Sequence, residues 1–189
     1  NTVIHLAAKL NVSEAEKKPE IYYKNNISGT SNLIKACKYT SVKNFLFSST
    51  CAVYNDKVSY AKETTKKNPK GVYGFTKLKG ERMIIKYFNR EKINYGILRY
   101  FNVVGASQSK KIGQINKNGQ LFKNLSLAIK KKEPVFNIYG NDYETFDGTC
   151  VRDYIHVCDL AEIHIKTLLK MNTLNQSIIL NCGYGKGLS

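Results

Sequence analysis

Three short apolar runs, Val3 to Ala7, Asn44 to Ser49 and Tyr95 to Val104, are separated by two stretches in which apolar residues recur at helical spacing. That alternation constrains the fold more than any other feature. Nearly continuous apolar strands suit a sheet buried on both faces, and strands with helices between them join in parallel through crossovers. Pro19 suits the first turn of a helix that carries Ile21, Leu33, Ile34 and Cys37 towards a core. A second helix is expected from about Tyr73 to Asn89, with Met83, Ile84, Tyr87 and Phe88 on its apolar face. Because β-α-β units cross over right-handed, the pattern predicts an α/β fold built on an open, doubly wound parallel sheet of the Rossmann-like kind.

After Gly105 the character changes. Residues 107 to 119 are polar and rich in Lys, Asn and Gly, and read as an excursion from the sheet. A helix from Leu121 to Lys132, a short strand from Val135 to Tyr139 and a polar loop from Gly140 to Gly148 are expected next, before Asp159 begins a further helix. The chain opens Asn1-Thr2-Val3 without an initiator Met and closes just past the strand-like run Ser177 to Cys182. It therefore reads as a fragment lacking both termini, its sheet truncated.

The net charge of +16 raises the question of nucleic acid. The basic residues are mostly Lys and spread along the whole chain, which describes a solvated surface, so no nucleic-acid partner is expected. Cys37, Cys51, Cys150, Cys158 and Cys182 are odd in number and form no Cys-x-x-Cys pair, which argues against a disulfide framework and a zinc ribbon. Cys150, His156 and Cys158 have the wrong spacing for zinc, so no metal is expected, and His156 reads as a structural histidine. No run reaches the length of a membrane span, and the expected location is cytoplasmic.

Chemistry is suggested first by Tyr73 and Lys77, at i and i+4 on one helix face, where a cation close to a phenol favours the phenolate. The spacing alone is weak: with 13 Tyr and this much Lys, about two such matches arise by chance. Two are present, the other being Tyr39 and Lys43. Position separates them. Tyr73 follows a strand ending Ser48-Ser49-Thr50, at the carboxyl edge where open α/β sheets bind ligands, whereas Tyr39 precedes the strand on the opposite edge.

Thr50, Tyr73 and Lys77 resemble the Ser/Thr, Tyr and Lys set of the extended short-chain dehydrogenase/reductases. Four further blocks, Val3 to Ala8, Tyr22 to Thr30, Arg99 to Ala106 and Gly140 to Val157, are similar to those of the UDP-galactose/UDP-glucose 4-epimerases. The segment Asp147-Gly148-Thr149 before Arg152-Asp153-Tyr154 is the most specific of them. The resemblance implies an NAD-dependent isomerase that oxidises and re-reduces the sugar at C4, with a UDP-sugar as substrate and a homodimer as the full-length assembly. It implies Tyr73 as base, Thr50 as a hydroxyl on the reacting oxygen, and Lys77 as the residue tuning Tyr73 and holding the nicotinamide ribose. Ala7, Ala8, Asn25 and Phe101 would line the cofactor together with Thr50, Tyr73 and Lys77. Asn102 and Asn124 would contact the diphosphate or sugar, Asn137, Ile138 and Tyr139 would flank the uracil, and Arg152 would bind the diphosphate, for which its fork of donors is suited.

The same resemblance divides the chain into residues 1–106, the C-terminal part of an NAD-binding domain with the catalytic residues, residues 107–150, a substrate-binding excursion, and a return segment, 151–189. Other substrates stay open: UDP-xylose or UDP-arabinose, UDP-glucuronate, or a UDP-N-acetylhexosamine. A non-catalytic basic module of the same fold is the remote alternative. The glycine-rich phosphate loop and the acidic residue that reads the adenosine ribose are expected before Asn1. Lys9-Leu10 stands where the order Leu-Lys is usual, so Lys9 is not expected on the cofactor. Asn55 replaces a usual Gly, in a turn where Asn tolerates left-handed backbone.

Overall fold

A computed structural model describes residues 1–115 and 120–189; the end of the polar stretch expected at 107–119 lies outside the described residues. The elements run β1 (Thr2–His5), α1 (Val12–Lys17), α2 (Pro19–Tyr22), a π-helical turn (Tyr23–Ser28), α3 (Gly29–Cys37) and β2 (Asn44–Thr50). A 3-10 turn (Cys51–Val53), α4 (Val72–Glu91), β3 (Asn94–Tyr100), β4 (Asn102–Val104) and α5 (Leu121–Ile129) follow, then β5 (Arg152–His156), α6 (Val157–Leu174), β6 (Ile178–Cys182) and β7 (Gly187–Leu188). They fall into two compact units, residues 1–100 with 162–182, and residues 101–161 with 183–189.

The first unit holds a four-stranded sheet in the order β1-β2-β3-β6, parallel throughout. The expected doubly wound sheet is present. Its centre is β2, every residue of which is buried, as its run of apolar and small hydroxyl residues requires. On one face Phe45, Phe47 and Ile97 pack against Ile34 and Cys37 of α3 and Ile84 and Phe88 of α4. On the other, Gly96 brings β3 against Met171 and Thr167 of α6, so close that a Cβ there would stand 3.0 Å from the Met171 sulfur. Each buried aromatic or branched side chain contributes about 1.5–3 kcal/mol, and these two layers hold the sheet edge on which the hydroxyls sit.

The local structure differs from expectation in several places. The helix expected from Pro19 is two α-helical pieces joined by the π-turn, and Ile21 lies exposed at 36%. Asn11 caps the unexpected helix α1, its side chain accepting from the Glu14 amide at 2.9 Å. Phe101 separates β3 from β4, where one continuous strand was expected. Asn55 does not take left-handed backbone; its side chain accepts from the Lys57 amide at 3.0 Å and closes the turn that way.

In the second unit β4 pairs parallel with β5, and β5 pairs antiparallel with β7. Residues 130–150 form no helix or strand, so the strand expected from Val135 to Tyr139 is absent. Its apolar residues find no ladder partner; Ile138 and Tyr139 are 70% and 83% exposed. Among the described residues no helix is long and apolar enough to cross a membrane.

Candidate active site

Helix α4 carries Tyr73 and Lys77 on the face turned to the sheet, and the start of this helix is fixed from outside. Gly71, its N-cap, has no side chain to offer, and Glu16 of α1 accepts from the Val72 amide at 2.8 Å. Gly74 then lets the first turn approach the backbone after Thr50; a Cβ there would stand 2.3 Å from the Ala52 carbonyl oxygen. This close approach brings the Tyr73 phenol to face the Thr50 hydroxyl. Thr50 also caps the 3-10 turn, accepting from the Ala52 amide at 3.2 Å.

Lys77 is 4% exposed. Its ammonium donates to the Ser48 carbonyl at 2.6 Å and faces the Ser48 hydroxyl at 3.3 Å, with the Phe47 ring 4.8 Å away. Burial lowers its pKa to about 8, and the Glu81 carboxylate works against that fall. Burial pushes the Tyr73 phenol the other way, up to about 12; the Thr50 hydroxyl opposes the rise and the Cys51 thiol adds to it. Burial is the largest influence on this phenol, and Lys77 is not among the groups that shift it. Lys77 acts instead on His5, whose pKa is lowered by burial first and by this cation second. His5 bonds Thr30 at 2.9 Å and packs on Phe47.

Asn25 lies exposed on the π-turn, a local widening of the helix that recurs at functional sites. Its buried neighbour Asn26 was not singled out from sequence, yet it joins three elements. Its amide accepts from the Lys9 N–H at 2.8 Å and donates to the Lys9 carbonyl at 2.9 Å and to Thr76 of α4 at 3.2 Å. The loop after β1, with Ala7 exposed and Ala8 half-buried, is thereby tied to the helix of Tyr73 and Lys77. Lys9 itself pairs with Glu14 at 3.7 Å.

A second group missed from sequence lies one turn further along α4. Glu81 and Arg99 are each 2% exposed and form a bidentate pair, Nε to Oε1 at 2.9 Å and Nη2 to Oε2 at 2.8 Å. Ser49 donates to the same carboxylate. Arg99 also donates to the Tyr54 hydroxyl at 2.8 Å and the Glu63 carbonyl at 3.1 Å, and Tyr54 donates to Asn181 at 2.7 Å. Burial works against the Arg99 charge, but Glu81 and Tyr54 more than restore it. The available signal was Glu81 at i+4 from Lys77, a charged residue on the stripe that faces the sheet.

The remaining candidates belong to the second unit. Asn102 donates its amide to the Asp153 carbonyl at 3.0 Å, inside the β4–β5 pair. Phe101 and Asn124 are half-buried, and Asn137 is exposed, as are Ile138 and Tyr139. Arg152 is exposed, with its Nη1 on the neighbouring Val151 carbonyl at 3.1 Å. His156 has the structural part expected of it: Nδ1 accepts from the Cys158 amide at 3.2 Å at the start of α6. Among the described residues no cluster of three or more His, Cys, Asp or Glu is placed to hold a metal ion.

Comparison with known proteins fits this arrangement. Over its full length the chain is 39% identical to a UDP-glucose 4-epimerase of Azospirillum brasilense and 40% identical to one of Halalkalibacterium halodurans, covering 55% and 57% of them. Among solved structures it resembles the UDP-glucose 4-epimerase of Brucella ovis in complex with NAD, with a TM-score of 0.92 and 38% identity over the whole chain and 58% of that structure. The epimerase of Stenotrophomonas maltophila, with bound NAD and formylated UDP-arabinopyranose, gives a TM-score of 0.94 at 36% identity over the whole chain and 57% of that structure. The chain thus spans little more than half the length of the relatives it matches. Residues 1–183 match the NAD dependent epimerase/dehydratase family, and the chain belongs to that family.

Proposed function

We propose that the protein interconverts UDP-glucose and UDP-galactose by transient oxidation at sugar C4, with NAD as a resident cofactor. The observation that carries the reading is the Tyr73 phenol facing the buried Thr50 hydroxyl, with buried Lys77 one helical turn away, at the carboxyl edge of β2. The names of the relatives at 39% and 40% identity support the substrate, and the NAD in the similar structures supports the cofactor. The donors present suit a ribose. An ammonium has three N–H groups, Ser48 engages Lys77 through two oxygens, and the remaining donor is available to a sugar hydroxyl.

In this reading NAD, when bound, supplies the hydride acceptor and a positive charge. Thr50 orients the substrate 4-hydroxyl and Tyr73 takes its proton, returning it once the ketone has presented its other face. A phenol raised to about 12 is protonated at neutral pH, so Tyr73 accepts that proton only when positive charge is brought beside it. Lys77 holds its place through Ser48, and the apolar packing around Phe47 limits water at the reacting atoms.

In the second unit, Phe101 completes the cofactor wall, Asn102, Asn124 and Arg152 take the diphosphate and sugar, and residues 137–139 take the uracil. The three-part division into residues 1–106, 107–150 and 151–189 belongs to the same proposal, as do a homodimeric assembly, a cytoplasmic location and the absence of a nucleic-acid partner. Incubation of the protein, at the full length of its relatives, with UDP-galactose, UDP-xylose, UDP-glucuronate and UDP-N-acetylglucosamine tests the substrate. Turnover highest with UDP-galactose is expected; turnover confined to another sugar overturns the assignment.

A further inference from the structure

Tyr73, Lys77 and Glu81 stand at i, i+4 and i+8 on α4 and form one stripe against the sheet. The first two have parts in the proposed chemistry, whereas Glu81 does not reach the reacting atoms. Its carboxylate is nevertheless saturated: Ser49 and Arg99 bond one oxygen and Arg99 the other. Ser49 is the residue between Ser48, which holds Lys77, and Thr50, whose hydroxyl faces the Tyr73 phenol. Glu81 therefore grips β2 at the one position flanked by both contacts of the site, and grips β3 through Arg99.

Stability does not account for this arrangement. A buried ion pair replaced by apolar residues of similar volume leaves a protein about as stable or more so. Apolar residues cannot, however, hold a helix to two strands by directed bonds, nor put negative charge one turn from a buried ammonium. The charged and titratable groups around Lys77 are His5 on β1, Tyr73 and Glu81 on α4, with the hydroxyls of Ser48 and Ser49 on β2. Around Glu81 they are Arg99 on β3, with Tyr54 and Lys67 from the segment between β2 and α4.

We propose that Glu81 is a positioning residue of the Thr50–Tyr73–Lys77 centre, clamping α4 to the ends of β2 and β3 one helical turn from Lys77. The inference rests on the proposed function for its catalytic meaning but not for its physical content. Burial alone favours the neutral amine, and Glu81 opposes it. Without Glu81 the amine loses its proton at lower pH.

The test is a titration of Lys77 by the 13Cε chemical shift in full-length protein, its resonance assigned by loss in Lys77→Gln. Glu81→Gln keeps the shape and removes the charge. Because it leaves Arg99 buried without a counter-ion, the double variant Glu81→Met, Arg99→Met is measured beside it. In a folded variant the Lys77 midpoint is expected to fall by about one pH unit, and the alkaline limb of kcat with it, with KM for the UDP-sugar within about threefold. An unchanged Lys77 midpoint in either folded variant overturns the proposal, as does a lower kcat with an unmoved alkaline limb. The midpoint is read without substrate, so its failure is distinct from failure of the epimerase reading, which shows as absence of turnover in the parent protein.

Discussion

Replacing Gly74 by Ala puts a single methyl group where the site has no space for one. A Cβ at Gly74 stands 2.3 Å from the Ala52 oxygen, 3.0 Å from the Ala52 carbon and 3.0 Å from Pro69 Cβ. The first distance is about 1 Å short of ordinary contact. The obstacle is backbone, belonging to the 3-10 turn that Thr50 caps, so no side-chain rotation relieves it. The first turn of α4 must move away, taking Tyr73 with it. In an open helix position the same substitution is favourable by about 1 kcal/mol; overpacking costs about 1–3 kcal/mol, leaving a net loss of up to about 2 kcal/mol.

The effect on turnover is larger, because a displacement of about 1 Å at a reacting group costs on the order of 100-fold. Gly29→Ala is the internal control: its Cβ meets nothing within 4 Å, and the residue is helical at φ −59°. Denaturant melts and initial rates with UDP-galactose are to be compared for both variants. Gly74→Ala is expected to be less stable and about 100-fold slower, and Gly29→Ala to be slightly more stable. If Gly74→Ala keeps the parent's stability and rate, the close approach of α4 to β2 does not position Tyr73 and the reasoning is refuted.

Lys77→Met is expected to stabilise the fold while abolishing turnover. Burial lowers the Lys77 pKa to about 8 from 10.5, so between these values the unfolded chain binds more protons and the parent's stability rises with pH through that window. The gain from Met, about 1–3 kcal/mol, is thus fully present below pH 8 and disappears towards pH 10.5, as melts across that range would report. Lys92, which ends α4 at φ 54°, adopts a backbone that favours glycine. Lys92→Gly should raise the unfolding free energy by about 0.5–1 kcal/mol with kcat unchanged; a loss of stability in denaturant melts would contradict the capping geometry.

Much of the first unit could be read from sequence because its signals are local. The run Phe45–Thr50 is continuously apolar or hydroxylic and lies in the fully buried β2; Ile84 and Phe88 are four residues apart and face the core together. Helix α1 also had a local signal, Asn11 three residues before Glu14, and the capping residue is where that spacing puts it. Val135 to Tyr139 misleads because a short apolar run becomes a strand only when a ladder partner exists, and none pairs with it in the second unit.

At the site, Tyr73 and Thr50 were separable from a chance match by their place at the sheet edge, and the structure brings their hydroxyls to face each other. The supporting residues were not legible. Glu81 meets Arg99 across 18 residues and Asn26 meets Thr76 across 50, distances over which spacing holds no information until the strands are in register. The balance of burial and charge at Tyr73 and Lys77 is likewise a property of packing, and it reverses the simple expectation that the cation lowers the phenol.

The most direct measurement is turnover of UDP-galactose to UDP-glucose by the full-length protein with NAD bound, beside its Tyr73→Phe variant. The parent should drive the two sugars to equilibrium from either side, and Tyr73→Phe should be slower by about 100-fold to 10,000-fold. No interconversion by NAD-loaded protein, or an undiminished rate in Tyr73→Phe, would contradict the account.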